Sequence, residues 1–96
     1  MPTKTLHFSS PRHLSSLYAG REENLVHAER ALGVQLVTRE DWLRIEAPAE
    51  NLARAEALFA FLDQARAQGM AIRTPDFHRI ADAFARGEGA KLHTLL

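Results

Sequence analysis

The sequence predicts a single α+β domain in which a three-stranded sheet carries its helices on one face. The stretch 22–32 has the 3.6-residue apolar period of a helix lying on a core. The stretches 34–37 and 42–47 alternate apolar and polar residues, as strands with one buried face do. A longer amphipathic stretch, 50–68, follows them. The predicted element order over the whole chain is β-α-α-β-β-α-α.

The N-terminal part contains a strand, a short helix and a turn. Residues 5–8 alternate as a first strand. Ser10 followed by Pro11 indicates a helix start, because serine caps the first amides and proline fits the first helical position. We expect this helix to reach Tyr18 and the turn to follow at 19–21.

The second helix and the hairpin come next. Gly33 follows the last apolar position of the helix, where a left-handed residue is needed to end it. The next segments pair as antiparallel strands around a loop at 38–41, with Leu36, Leu43 and Ile45 facing the core.

The C-terminal part contains two helices. The first, at 50–68, has an apolar stripe wide enough to cover the sheet and still offer an edge to another surface. Gly69 ends it. The Thr74-Pro75 pair starts the last helix, Arg86-Gly87 breaks it, and residues 90–96 are predicted to be a linker.

Composition limits the functions that fit. Ninety-six residues with 46% apolar and 25% charged side chains make one globular domain. Twelve basic and twelve acidic residues balance, so no overall field attracts nucleic acid or an anionic membrane. No cysteine is present to form a disulfide or a thiolate metal site, and no signal peptide or apolar span is apparent. The expectation is a cytoplasmic protein with no membrane partner.

The order of the elements and several short motifs resemble one known family. The matching positions are Leu17, Glu23-Asn24-Leu25, Ala31-Leu32-Gly33-Val34, Trp42–Ala47, Ala55-Glu56 and Thr74-Pro75-Asp76-Phe77. Together they resemble the N-terminal domain of PhoH-like proteins, the phosphate-starvation-inducible ATPase family, over about residues 5–86. The resemblance implies a KH-like fold of type I order, β-α-α-β-β-α, with one additional C-terminal helix.

The turn between the paired helices departs from the KH pattern. A KH domain that binds RNA has G-x-x-G there, so that backbone amides can approach the phosphates. Here the turn is Ala19-Gly20-Arg21-Glu22, and both motif glycines are replaced. The alternative register, Gly20-Arg21-Glu22-Glu23, keeps one glycine and places two carboxylates near the phosphate position.

The family's ATPase motif is absent from these 96 residues. No G-x-x-x-x-G-K-[ST] occurs, and Gly87-Glu88-Gly89-Ala90-Lys91 lacks its spacing and its hydroxyl. The resemblance therefore implies a domain at 1–88 and a linker at 89–96 leading to a P-loop domain, where the family holds ATP and Mg²⁺. We expect this chain to have no cofactor and no enzymatic activity of its own.

Two functions from different classes fit the sequence. The first is an accessory domain that binds single-stranded RNA weakly for a PhoH-like ATPase, through Gly20, Arg21, Asn24 and Arg39 on the two loops that flank a KH groove. The second is a docking module for its own ATPase domain or neighbouring subunits, without nucleic-acid binding. The neutral charge and the altered turn favour docking, whereas the resemblance favours RNA.

The remaining polar residues indicate no catalytic or metal site. Five histidines include no pair four residues apart and no H-E-x-x-H, so we interpret them as solvated or capping residues. Trp42 could stack on a base, but at the start of a strand we expect it to cover the outer sheet edge.

Overall fold

The structure, a computed structural model, describes residues 1–95, with the backbone alone for 94 and 95. It contains three strands and four α-helices, followed by a 3-10 helix at Gly89–Leu95. The strands are β1 (Thr3–His7), β2 (Gln35–Arg39) and β3 (Trp42–Glu46), and the helices are α1 (Pro11–Leu17), α2 (Glu22–Leu32), α3 (Ala49–Ala67) and α4 (Thr74–Ala85). This order confirms the predicted α+β, KH-like class.

The sheet is antiparallel with β3 in the middle, in the order β1-β3-β2. Leu43 and Ile45 of β3 are completely buried, and Leu6 of β1 and Leu36 of β2 lie directly opposite them. These apolar side chains define the face on which the helices pack. Arg44, between the two buried residues of β3, is exposed on the other face.

Local signals in the sequence set the start of α1 and the end of α2 as predicted. The Ser10 hydroxyl accepts a hydrogen bond from the His13 amide at 3.0 Å, and Pro11 occupies the first turn of α1. Gly33 ends α2 with φ 68° and ψ 44°. A Cβ at Gly33 would also lie 2.7 Å from Asn51 Nδ2, so a side chain at position 33 would have to displace the Asn51 amide as well as adopt a positive φ.

The hairpin is tighter than the sequence predicted. Arg39, expected in a loop at 38–41, is the last residue of β2 and pairs in register with Trp42. Only Glu40 and Asp41 connect the strands, and Glu40 takes the positive φ, 51°, that so short a connection requires. Arg39 is therefore fixed on the sheet.

The C-terminal end completes the core. The Phe61 ring of α3 contacts Phe84 of α4 at a centroid distance of 5.6 Å and His93 of the 3-10 helix at 5.1 Å. Leu92 also packs on the core. The edge of α3 that was predicted to stay open is thus covered at Phe61, and Leu92 and His93 of the 3-10 helix pack on the fold. The expectation that residues 89–96 lead to a further domain stays a prediction. None of the helices within residues 1–95 has the length and hydropathy to cross a membrane.

Candidate nucleic-acid interface

The turn between α1 and α2 is internally hydrogen-bonded and is exposed at Gly20 and Arg21. Ala19 and Gly20 both have left-handed backbones, with φ 60° and 68°. The Gly20 amide donates to the Ser15 carbonyl at 2.9 Å and the Arg21 amide donates to the Tyr18 carbonyl at 3.3 Å. Two of the amides that a phosphate could have used are therefore already bonded, one to α1 and one to its C-cap residue. What the turn presents to solvent is its surface at Gly20 and the Arg21 side chain.

The start of α2 combines attraction and repulsion for an anion. Arg21 is its N-cap residue and supplies no side-chain cap, so the first amides of the helix have no side-chain acceptor there. Glu22 and Glu23 occupy the first turn, where the helix dipole favours carboxylates. The Arg21 guanidinium lies 3.8 Å from the Glu23 carboxylate, and both side chains are more than half exposed. Arg21 is therefore only partly neutralised in water.

Asn24 has a structural role instead of the predicted contact with RNA. The residue is 1% exposed. Its Nδ2 donates to the Tyr18 carbonyl at 2.9 Å and to Thr74 Oγ1 at 3.1 Å, while its Oδ1 accepts from His78 Nε2 at 3.0 Å. Its amide thus has no free group to offer a ligand. It joins the turn to the start of α4.

Histidines extend this polar contact along α2 and α4. His27 Nε2 donates to Asp82 Oδ1 at 2.7 Å, and the rings of His27 and His78 stack at 4.0 Å with planes 7° apart. The expectation of solvated histidines is therefore wrong for this pair, which is partly buried. The spacing carried a signal, since Thr74, His78 and Asp82 recur every four residues and lie on one helix face.

A shallow groove of about 610 Å³ runs beside the two histidines. Its lining residues are Glu23, Val26, His27, Arg30, Ala31 and His78. Val26 is 41% exposed, which is unusual for a large apolar side chain of this domain. Charges of both signs flank the apolar floor.

The predicted site residues do not form one cluster. Gly20 and Arg21 are exposed on the turn, Asn24 is buried behind it, and Arg39 is exposed at the end of β2. Within residues 1–95, neither a hydrogen bond nor an ion pair joins the turn to Arg39. The side chains of the described region also form no group of three potential metal ligands.

Comparisons with protein-family models, with curated proteins and with solved structures find no match for this chain. The chemistry of the surface therefore carries the functional argument.

Proposed function

We propose that the chain is an accessory domain that binds single-stranded RNA weakly, in the cytoplasm, for a PhoH-like ATPase whose P-loop domain holds ATP and Mg²⁺. The observation that carries the proposal is the exposed, internally bonded α1–α2 turn, which presents Arg21 at the start of α2 within a KH-like order of elements. A turn that is already ordered loses little conformational entropy when a strand binds to it.

The same geometry limits the affinity. The Gly20 and Arg21 amides already have acceptors within the turn. Glu22 and Glu23 place two carboxylates near the path of the phosphates. With about two or three phosphates neutralised, we expect dissociation constants on the order of 10⁻⁴–10⁻⁶ M. A plot of the logarithm of the binding constant against the logarithm of the salt concentration should have a slope of about −0.7 per neutralised phosphate.

Two substitutions at the turn test the proposal in opposite directions. Arg21→Ala removes the exposed cation, so binding should weaken several-fold and the salt slope should fall by about 0.7. Glu22→Gly removes one carboxylate and supplies the second glycine of the G-x-x-G pattern, so binding should tighten. The measurement is fluorescence anisotropy of a labelled single-stranded RNA at two salt concentrations.

Arg30→Ala is the matched control because it removes an exposed arginine from the other end of the same helix. It should change the affinity less than Arg21→Ala does. Equal effects of the two changes would indicate diffuse electrostatic attraction and would contradict a site at the turn. Thermal melts of all variants exclude effects that come from unfolding.

Docking on the ATPase domain or on a neighbouring subunit is the second candidate function. The observation that favours it is Val26, exposed in the α2–α4 groove. If neighbouring subunits use this groove, Val26→Glu should abolish concentration-dependent association in sedimentation velocity, and the Arg21 and Glu22 variants should associate as the unmodified domain does. A monomer at all concentrations would contradict docking between copies of this domain.

A further inference from the structure

The outer face of the sheet presents an aromatic and basic surface. The strand register places His7, Trp42 and Arg39 in one row across the three strands. Thr5, Arg44 and Val37 form the next row. Between β1 and β3, the side chains of Thr5, His7, Trp42 and Arg44 line a depression of about 240 Å³. We call these four residues and Arg39 the sheet platform.

The two arginines of the sheet platform contact no carboxylate among the residues that the structure describes. Among the ion pairs of residues 1–95, none includes Arg39 or Arg44. The Arg44 guanidinium instead lies over the Trp42 ring, with its central carbon 5.6 Å from the ring centroid. This cation–π contact holds a positive charge beside the indole without neutralising it.

We propose that the sheet platform is a second contact for single-stranded nucleic acid, in which a base stacks against Trp42 and Arg44. Aromatic rings and guanidinium planes are the groups on which proteins stack unpaired bases. Arg39, one strand away from Trp42, provides a cation for the adjoining phosphate. Thr5 and His7 border the depression with groups that can form hydrogen bonds to a base edge.

Charge on this face favours a nucleotide as the occupant. Arg39 and Arg44 lie on the outer face of the sheet, and the only acidic residue of the three strands is Glu46, at the far end of β3. Glu40 and Asp41 belong to the hairpin turn, beyond the row that contains Trp42. A negatively charged strand can therefore cross from Arg44 to Arg39 over the indole. An uncharged apolar partner would leave both guanidinium groups without a counter-charge.

The platform deepens the proposed function but is separate from the turn, so each can be tested alone. Trp42 is the single tryptophan of the chain, and its emission reports on this face directly. The experiment titrates the domain with single-stranded oligouridylate and follows both tryptophan emission and the anisotropy of a labelled oligomer. We expect saturable quenching with the same midpoint as the anisotropy change.

Three substitutions assign the quenching to the platform. Trp42→Leu, which removes the stacking surface, should raise the dissociation constant about fivefold or more, and Trp42→Phe should restore part of the affinity. Arg44→Ala keeps the tryptophan as reporter and should reduce both quenching and affinity. Arg30→Ala is the matched control, because Arg30 on α2 belongs to no ion pair within residues 1–95. This change should reduce neither the quenching nor the affinity.

The outcomes separate the two binding sites. Anisotropy binding without quenching, and without an effect of Arg44→Ala, would overturn the platform and leave the turn site standing. Sensitivity to the platform variants without sensitivity to Arg21→Ala would support the platform and contradict the turn. Emission that depends on protein concentration alone would show that a second copy covers the sheet, and it would overturn the proposal, as would the absence of any binding.

Discussion

At the scale of single residues, Asn24 has the strongest influence on the shape of the turn. Its buried amide contacts the residue that caps the C-terminus of α1 and two residues of α4, and each of these bonds is 3.1 Å or shorter. A side chain that is almost completely buried has no water to replace lost partners. The turn therefore keeps its left-handed backbone through Asn24 and through its own two amides, without the glycines of the KH pattern.

Asn24→Ala should destabilise the domain by about 1–3 kcal/mol, because it removes three hydrogen bonds of a buried amide. The Tyr18 carbonyl keeps only its 3.3 Å bond from the Arg21 amide, and Thr74 and His78 of α4 lose their bonds to Asn24. Urea unfolding followed by circular dichroism measures the change. Asn51→Ala is the control, since Asn51 is only partly buried and its side chain donates to the Leu32 carbonyl at 2.9 Å. A smaller effect at Asn24 than at Asn51 would contradict the structural role.

At the scale of elements, the start of α4 shows how one carboxylate supports a helix. The Arg73 amide donates to Asp76 Oδ2 at 3.0 Å, and Arg79 Nη2 donates to Asp76 Oδ1 at 3.2 Å. The bond from the Arg73 backbone, and then the Arg79 side chain, hold the pKa of Asp76 below its ordinary value of 3.8. The ionised form of Asp76 is thus the form that stabilises the folded state.

Asp76→Asn should lower the stability near neutral pH by about 1 kcal/mol, or roughly 4–8 °C in melting temperature. The depressed pKa means that the unfolded chain binds the proton more tightly. The stabilisation by the ionised Asp76 is therefore fully present above the ordinary pKa of 3.8. It is lost as the pH falls through the lower pKa that Asp76 has in the folded state. Melts over an acid pH series should show the variant and the unmodified domain converging at low pH.

Arg79→Ala is the comparison for that series. It removes the side-chain partner and leaves the Arg73 backbone bond, which is the larger cause of the depressed pKa of Asp76. The Arg79→Ala domain should therefore remain more stable than the Asp76→Asn domain near neutral pH, and most of the pH-dependent stability of the unmodified domain should persist in it. A gap between Asp76→Asn and the unmodified domain that stays constant with pH would rule out the role of the charge.

At the scale of the whole molecule, one hydrophobic core joins the sheet to the helices. Leu43 and Ile45 of the sheet, Phe59 of α3 and Phe77 of α4 belong to the same buried cluster. The 3-10 helix adds Leu92 to its surface. Since no separate core exists within the described residues for either half to retain, the halves should not unfold independently.

The domain should accordingly unfold in a single step. Trp42 emission reports on the sheet and far-ultraviolet circular dichroism reports on the helices, so their urea transitions should have the same midpoint. Val26→Ser, on the exposed surface of α2, should move both midpoints together, if it moves them at all. A tryptophan transition that precedes the loss of helix would refute this prediction.

The sequence alone determined the elements and most of their ends. Ser10, Pro11 and Gly33 act on groups within a few positions of themselves, so their effects can be predicted without the fold. The apolar periods likewise predicted the buried face of β3 and the stripe of α3. These features depend on backbone geometry that is nearly the same in every protein.

Only the tertiary structure decided which polar side chains meet. His78 bonds Asn24 across 54 positions and His27 bonds Asp82 across 55, and the apolar periods that predicted the elements contain no information on such partners. Packing α4 against α2 buried Asn24 and removed it from the predicted binding surface. Arg39, predicted in a loop, instead lies on the sheet beside Trp42, because the hairpin connection is only two residues long. Strand register decides which side chains share a row, and it is set by the whole sheet.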